Sequence, residues 1–103
     1  MNISDIIEQI KHLRDTLFPE VELVLFGSQA RGDATEDSDI DILALFNKDT
    51  IQRADRVMVS HPLYELELRN GVIITPIFRT KKQWQSQANT FFKQNIQREG
   101  IRL

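Results

Sequence analysis

Two spacings of apolar residues alternate along the chain, and the points where one gives way to the other divide it into elements. Ile3, Ile6, Ile7, Ile10, Leu13 and Leu17 recur every three or four positions, which predicts an amphipathic helix capped by Asn2 and stopped by Pro19. Residues 21–26 (Val-Glu-Leu-Val-Leu-Phe) are β-prone and nearly all apolar, the pattern of a strand covered on both faces. Gly27 ends that run. A polar loop over residues 28–38 leads into a second apolar strand over 39–46, Asp-Ile-Asp-Ile-Leu-Ala-Leu-Phe.

Helical spacing returns with Ile51, Ala54, Val57 and Met58, and Ser60-His61-Pro62 is expected to interrupt it, with Pro62 in the first turn of a following helix. Residues 63–69 fit two elements. Their Glu and Leu content favours a helix ended by Asn70-Gly71, while their strict alternation before Asn70-Gly71 would suit a hairpin arm. Residues 71–78 predict a third strand, its later part at a sheet edge because Pro76 has no N–H to donate. Two short helices follow over 81–87 and 90–98, the second ended by Gly100. No repeat, linker or low-complexity tract divides the chain, so residues 1–103 are expected to form one domain.

Composition narrows the function classes. The chain has 103 residues, of which 41% are apolar and 27% charged, the mix of a globular fold. No apolar run approaches the roughly 20 residues that span a bilayer, so no membrane role is expected. The start of the chain lacks the basic and apolar regions of an export signal, and with 0 Cys there is no disulfide framework, thiolate nucleophile or Cys zinc site. A cytoplasmic address is the expectation. Charge is divided unevenly: residues 1–78 carry 7 Lys/Arg against 14 Asp/Glu, whereas 79–103 carry 6 against Glu99 alone. That division would suit a cation site beside an anion-binding surface, or simply solvated helix faces.

The candidate chemistry lies in Phe26-Gly27-Ser28-Gln29-Ala30-Arg31-Gly32-Asp33 and in Ser38-Asp39-Ile40-Asp41-Ile42. A Gly-Ser pair between a buried strand and a helical turn offers backbone N–H groups and a hydroxyl to phosphate oxygens, and Arg31 adds a fixed positive fork. By itself the loop is a weak signal, since glycines punctuate most loops. In a strand, Asp39 and Asp41 face the same side while Ile40 and Ile42 enter the core. Two like charges there raise one pKa unless a cation neutralises them, and Mg²⁺ favours one or two carboxylates completed by substrate phosphates and water. The pair gains meaning from the phosphate loop ten residues upstream.

Together these residues resemble the signature of the DNA polymerase β-like nucleotidyltransferases, and most nearly their minimal, single-domain branch. The motif covers residues 26–42, and the order of elements matches over most of the rest. The resemblance implies an α+β fold like the polymerase β palm, a small mixed sheet with helices packed mainly on one side. It implies transfer of an NMP, AMP first among them, from an NTP to an acceptor hydroxyl with release of pyrophosphate. By the same resemblance Gly27, Ser28 and Ser38 bind the nucleotide, Arg31 assists at the triphosphate, and Asp39 and Asp41 are catalytic and bind Mg²⁺ or Mn²⁺. Relatives of this branch act as antitoxins on a helical partner of the HEPN type, some by transferring AMP and others by contact alone. Both are open here, as is pairing with a second copy, whereas the acidic site argues against nucleic acid as the main partner.

One part of the family pattern is missing. A third carboxylate belongs on the next strand, but Val72-Ile73-Ile74-Thr75 has none. Glu65 and Glu67 would substitute only if 63–69 were a hairpin arm. His12 and His61 read as surface or capping residues, and Trp84, Phe91 and Phe92 as core or interface packing rather than base-stacking groups. Asp33, Glu36 and Asp37 read as a solvated acidic loop with outer-shell help to a metal as the alternative.

Overall fold

The computed structural model describes residues 3–35 and 38–103. The expected cap at Asn2 and the acids Glu36 and Asp37 lie outside the described residues. Helix α1 (Ile3–Leu17) comes first, followed by strand β1 (Glu22–Phe26), the single turn α2 (Ser28–Arg31) and strand β2 (Ile40–Phe46). Helix α3 (Arg53–Asn70), strand β3 (Ile74–Thr80), helices α4 (Lys81–Ser86) and α5 (Phe91–Glu99), and the short strand β4 (Ile101–Arg102) complete the chain.

The sheet has the order β3-β2-β1-β4. β1 pairs antiparallel with β2 and with β4, while β2 and β3 are parallel, which requires the α3 crossover between them. The sheet is therefore mixed, as the resemblance implied. Strand alternation gives each face its own core. Leu23, Leu25, Ile40, Ile42, Ala44, Phe46 and Ile74 bury their side chains against Ile6 and Ile10 of α1 and Val59, Leu63 and Leu66 of α3. On the other face Leu43 and Leu45 meet Ile96, with Val24, Phe26, Ile77 and Trp84 around them. The two long helices share one side, and the short α4 and α5 cover part of the other. That opposite face is where Asp41 stands, beyond the cover of those helices.

Two sequence expectations need correction. Ser60-His61-Pro62 does not interrupt α3, which runs through Pro62 to Asn70. Proline removes one N–H, the one that would reach the Met58 carbonyl, and Met58 is exposed, so the lost bond falls on the solvent side. The hydrophobic face Val59, Leu63 and Leu66 continues across the proline and holds the helix together. The third strand begins at Ile74 rather than at 71, because Gly71 serves as the C-cap of α3, its N–H donating to the Glu67 carbonyl at 2.8 Å.

The helical reading of 63–69 holds, and it removes the hairpin route by which Glu65 or Glu67 would reach the site. The Glu67 carboxylate instead accepts the Ile74 N–H at 2.6 Å, securing the start of the edge strand. Glu65 is exposed and pairs with His61 at 3.2 Å. Phe91 is 84% exposed and is not core, whereas Phe92 packs edge-on against Phe26 with ring centroids 5.7 Å apart. His12 is exposed on α1. Among the described residues no helix is long and apolar enough to cross a membrane.

The two glutamates should therefore differ in stability. Glu67→Ala leaves a strand N–H without its charged acceptor and should cost about 1–2 kcal/mol in urea denaturation, while Glu65→Ala should stay within about 0.5 kcal/mol of wild type. Equal effects would mean that the 2.6 Å bond contributes nothing.

Candidate active site

Pairing of β1 with β2 sets Phe26 directly opposite Asp41, so the chain emerges from β1 beside the second carboxylate. Gly27 follows with φ 76°, a conformation that L side chains rarely adopt. Glycine is favoured there by its backbone angle, and a Cβ at Gly27 would also push aside Asp41 Oδ2. The Gly27 carbonyl then accepts the N–H groups of Ala30 and Arg31, each at 3.1 Å, and closes α2. In such a turn the leading N–H groups, here those of Ser28 and Gln29, have no acceptor within the helix, the condition under which an anion can be bound.

Asp39 precedes β2 and is exposed; Asp41 is half-buried on the face that holds Leu43 and Phe26. Burial raises the Asp41 pKa above the ordinary aspartate value, the negative charge of Asp39 raises it further, and Arg31 partly offsets both. A bound cation would relieve that mutual repulsion, so the donor set fits a divalent ion whose remaining ligands come from phosphates and water. Among the described residues no group of three or more His, Asp or Glu side chains gathers to hold a metal by itself. The neighbour of Asp41 on β3 is Thr75, exposed on the edge strand. Thr75 is thus the residue level with Asp41 on the strand where the resemblance leads one to look for a third acid.

Arg31 reaches two carboxylates. Its Nε lies 3.2 Å from Asp33 Oδ2, and its Nη1 lies 3.5 Å from Glu99 Oε2 at the end of α5. Asp33, and after it Glu99, push the guanidinium further above its already high pKa. Asp33 therefore acts on Arg31, a contact its place in a polar loop did not reveal. Ser38 is turned to the loop itself: its Oγ accepts the Thr35 N–H at 2.9 Å, and its carbonyl accepts from Gln29 Nε2 at 3.5 Å. The structure thus brings Gly27, Ser28, Arg31, Asp39 and Asp41 to one end of the sheet, with Ser38 bracing the connection between them. Thr75 and Glu99 are additions that spacing did not supply. The uneven charge is answered by ion pairs between the two segments, Arg102 with Glu22 at 2.5 Å and Lys81 with Glu22 at 3.7 Å.

A carboxylate whose pKa is raised on folding holds its proton more tightly in the folded state. Its contribution to stability is present below the ordinary aspartate pKa and is lost as pH rises through the folded value. Asp41→Asn should therefore raise the melting temperature at neutral pH, and the difference should close as pH falls toward about 3. A lower melting temperature for the variant at neutral pH would contradict the raised pKa.

The chain is similar to known proteins in sequence and in fold. The profile of the nucleotidyltransferase domain matches residues 6–103. A candidate protein adenylyltransferase of Methanocaldococcus jannaschii, MJ0604, is 37% identical over 79 residues, covering 77% of this chain and 73% of that protein. A solved structure of a candidate minimal nucleotidyltransferase superposes with a TM-score of 0.67 at 24% identity, over 100% of this chain and 97% of the other. A variant of the toxin–antitoxin MntA-HpeT matches with a TM-score of 0.58 and 25% identity, covering 100% of this chain and 72% of that one. With the profile spanning nearly its whole length, this chain belongs to the nucleotidyltransferase domain family.

Proposed function

We propose that the protein transfers AMP from ATP to a hydroxyl group on a partner protein, releasing pyrophosphate. The observation that carries this reading is the contact between Gly27 and Asp41, which sets a phosphate-binding turn against a carboxylate pair. Gly27 and Ser28 would hold the triphosphate through backbone N–H groups and the Ser28 hydroxyl, and Arg31 would add charge at the β- and γ-phosphates. Asp39 and Asp41 would hold Mg²⁺ or Mn²⁺ jointly with the nucleotide. That ion, when bound, supplies positive charge to the oxygens around the reacting phosphorus.

In the transfer, the acceptor oxygen forms a bond to the α-phosphorus, and the bond from that phosphorus to the α,β-bridging oxygen breaks. The acceptor proton passes to solvent, and pyrophosphate leaves toward the α2 turn and the Arg31 guanidinium. Relatives described as protein adenylyltransferase and as a toxin–antitoxin pair support a protein acceptor, and a helical HEPN-type toxin is the partner that the resemblance of the sequence motif implies.

Thr75 supports a second reading, a binding module that neutralises its partner by contact with little transfer. The position lies beside Asp41, where an acid would hold an ion next to the attacking hydroxyl. Loss of one electrostatic contributor commonly costs about 10²–10³ in rate, so slow transfer is expected.

Labelled ATP with Mg²⁺ and a co-expressed partner separates these readings. Wild type should label the partner slowly, Asp41→Asn should not label it, and Thr75→Asp should label it at least about tenfold faster. Ile74→Asp, by contrast, places a charge in the core and should unfold the chain, since Ile74 is only 4% exposed. Absence of labelling in wild type and in Thr75→Asp, with the partner still bound, would favour the contact module.

A further inference from the structure

Glu99 is the sole acid among residues 79–103, and it sits at an unfavourable place for one. It is the last residue of α5, where the helix dipole presents its negative end and a carboxylate is repelled. Its side chain is nevertheless only 25% exposed and is engaged by two arginines, Arg31 Nη1 at 3.5 Å and Arg98 Nη2 at 3.5 Å. Arg98 is its neighbour in sequence. Arg31 lies 68 positions away, in the turn that faces the carboxylate pair.

The end of α5 is fixed from several sides. The Gly100 N–H donates to the Ile96 carbonyl at 2.8 Å, and a Cβ at Gly100 would collide with that carbonyl and come within 2.8 Å of Val24 Cγ1. Only glycine lets the chain pass so close to β1. Directly afterwards Ile101 and Arg102 pair with Leu25 and Val24, so β4 is sewn to the strand that feeds the phosphate turn. At the other end of the helix, Phe92 packs on Phe26, the residue before Gly27. The carboxylate of Glu99 is thus delivered from a helix braced against β1, while Asp33 approaches Arg31 from within the loop.

We infer that Glu99 is a positioning residue of the nucleotide site, holding the Arg31 guanidinium in the direction from which it meets phosphate. The inference rests on the reading of residues 27–41 as a nucleotide site. With Asp33 at Nε and Glu99 at Nη1, a long side chain that would otherwise sample many rotamers is restrained at two of its three nitrogens. Partly exposed ion pairs add little to stability, so the restraint acts mainly on where the charge stands. The C-terminal helix then belongs to the functional site.

The test combines ATP titration in Mg²⁺ with side-chain NMR. Glu99→Gln should weaken ATP binding by about two- to fivefold, the size expected of a partly exposed charge pair, with an unchanged melting temperature. In an Arg31→Ala background the same substitution should have no further effect, because the pair acts as a unit. Equal weakening in both backgrounds, no weakening, or tighter binding would overturn the inference, the last by showing that Glu99 competes with phosphate for Arg31. The Arg31 Nε–H resonance provides a readout without nucleotide: Glu99→Gln should increase its mobility on the nanosecond scale, and an unchanged resonance would also overturn the inference. Failure of wild type to bind ATP would overturn the reading of the site, and the Arg31 resonance would still decide the role of Glu99.

Discussion

The approach of the Asp41 carboxylate to the backbone of Gly27 is the constraint on which the rest of the site depends. It follows from the antiparallel register that faces Phe26 to Asp41, and a Cβ on the next residue would displace the carboxylate. Because Gly27 takes a positive φ, the chain turns at once into α2 and aims its leading N–H groups over the same end of the sheet. A phosphate turn and a carboxylate pair therefore come from one local solution, with no long loop to bring them together. Burial and Asp39 both disfavour the charged form of Asp41. A carboxylate pair under such mutual repulsion is a place where a cation would be favoured.

The parallel pairing of β2 with β3 adds the second constraint. It puts Thr75 level with Asp41 and Ile74 level with Ile40, so the two faces of one edge strand carry opposite duties. Ile74 belongs to the core shared with α1 and α3, and Thr75 faces the side on which the site lies. A hydroxyl level with Asp41 is a weaker metal ligand than a carboxylate, which underlies the proposal of slow transfer.

Much of this was legible beforehand because it is local. The alternation of Asp39 and Asp41 with Ile40 and Ile42, the Gly-Ser turn, and the edge position marked by Pro76 are all short-range patterns, each sharpened by the others. The mistakes were also local. A proline at position 62 signals a break, but a continuous apolar face over Val59, Leu63 and Leu66 outweighs one missing hydrogen bond. Gly71 could belong to a helix end or a strand start, and the αL cap decides for the former. What spacing could not supply was long-range: the level of Thr75 with Asp41 depends on strand register, and the meeting of Arg31 with Glu99 depends on how α5 lies across the sheet. Glu99 did carry a signal, an acid alone in a basic segment at the wrong end of a helix, but its partner is visible only in three dimensions.

The central claim is that carboxylates and phosphate turn form one site, with neither complete alone. Calorimetric titration of the wild-type protein with ATP, in the presence and in the absence of Mg²⁺, tests it most directly. The account predicts weak binding of each component separately and markedly tighter ATP binding when Mg²⁺ is present, because phosphates and Asp39 and Asp41 share the ion's coordination shell. ATP affinity that is the same with and without Mg²⁺ would contradict it.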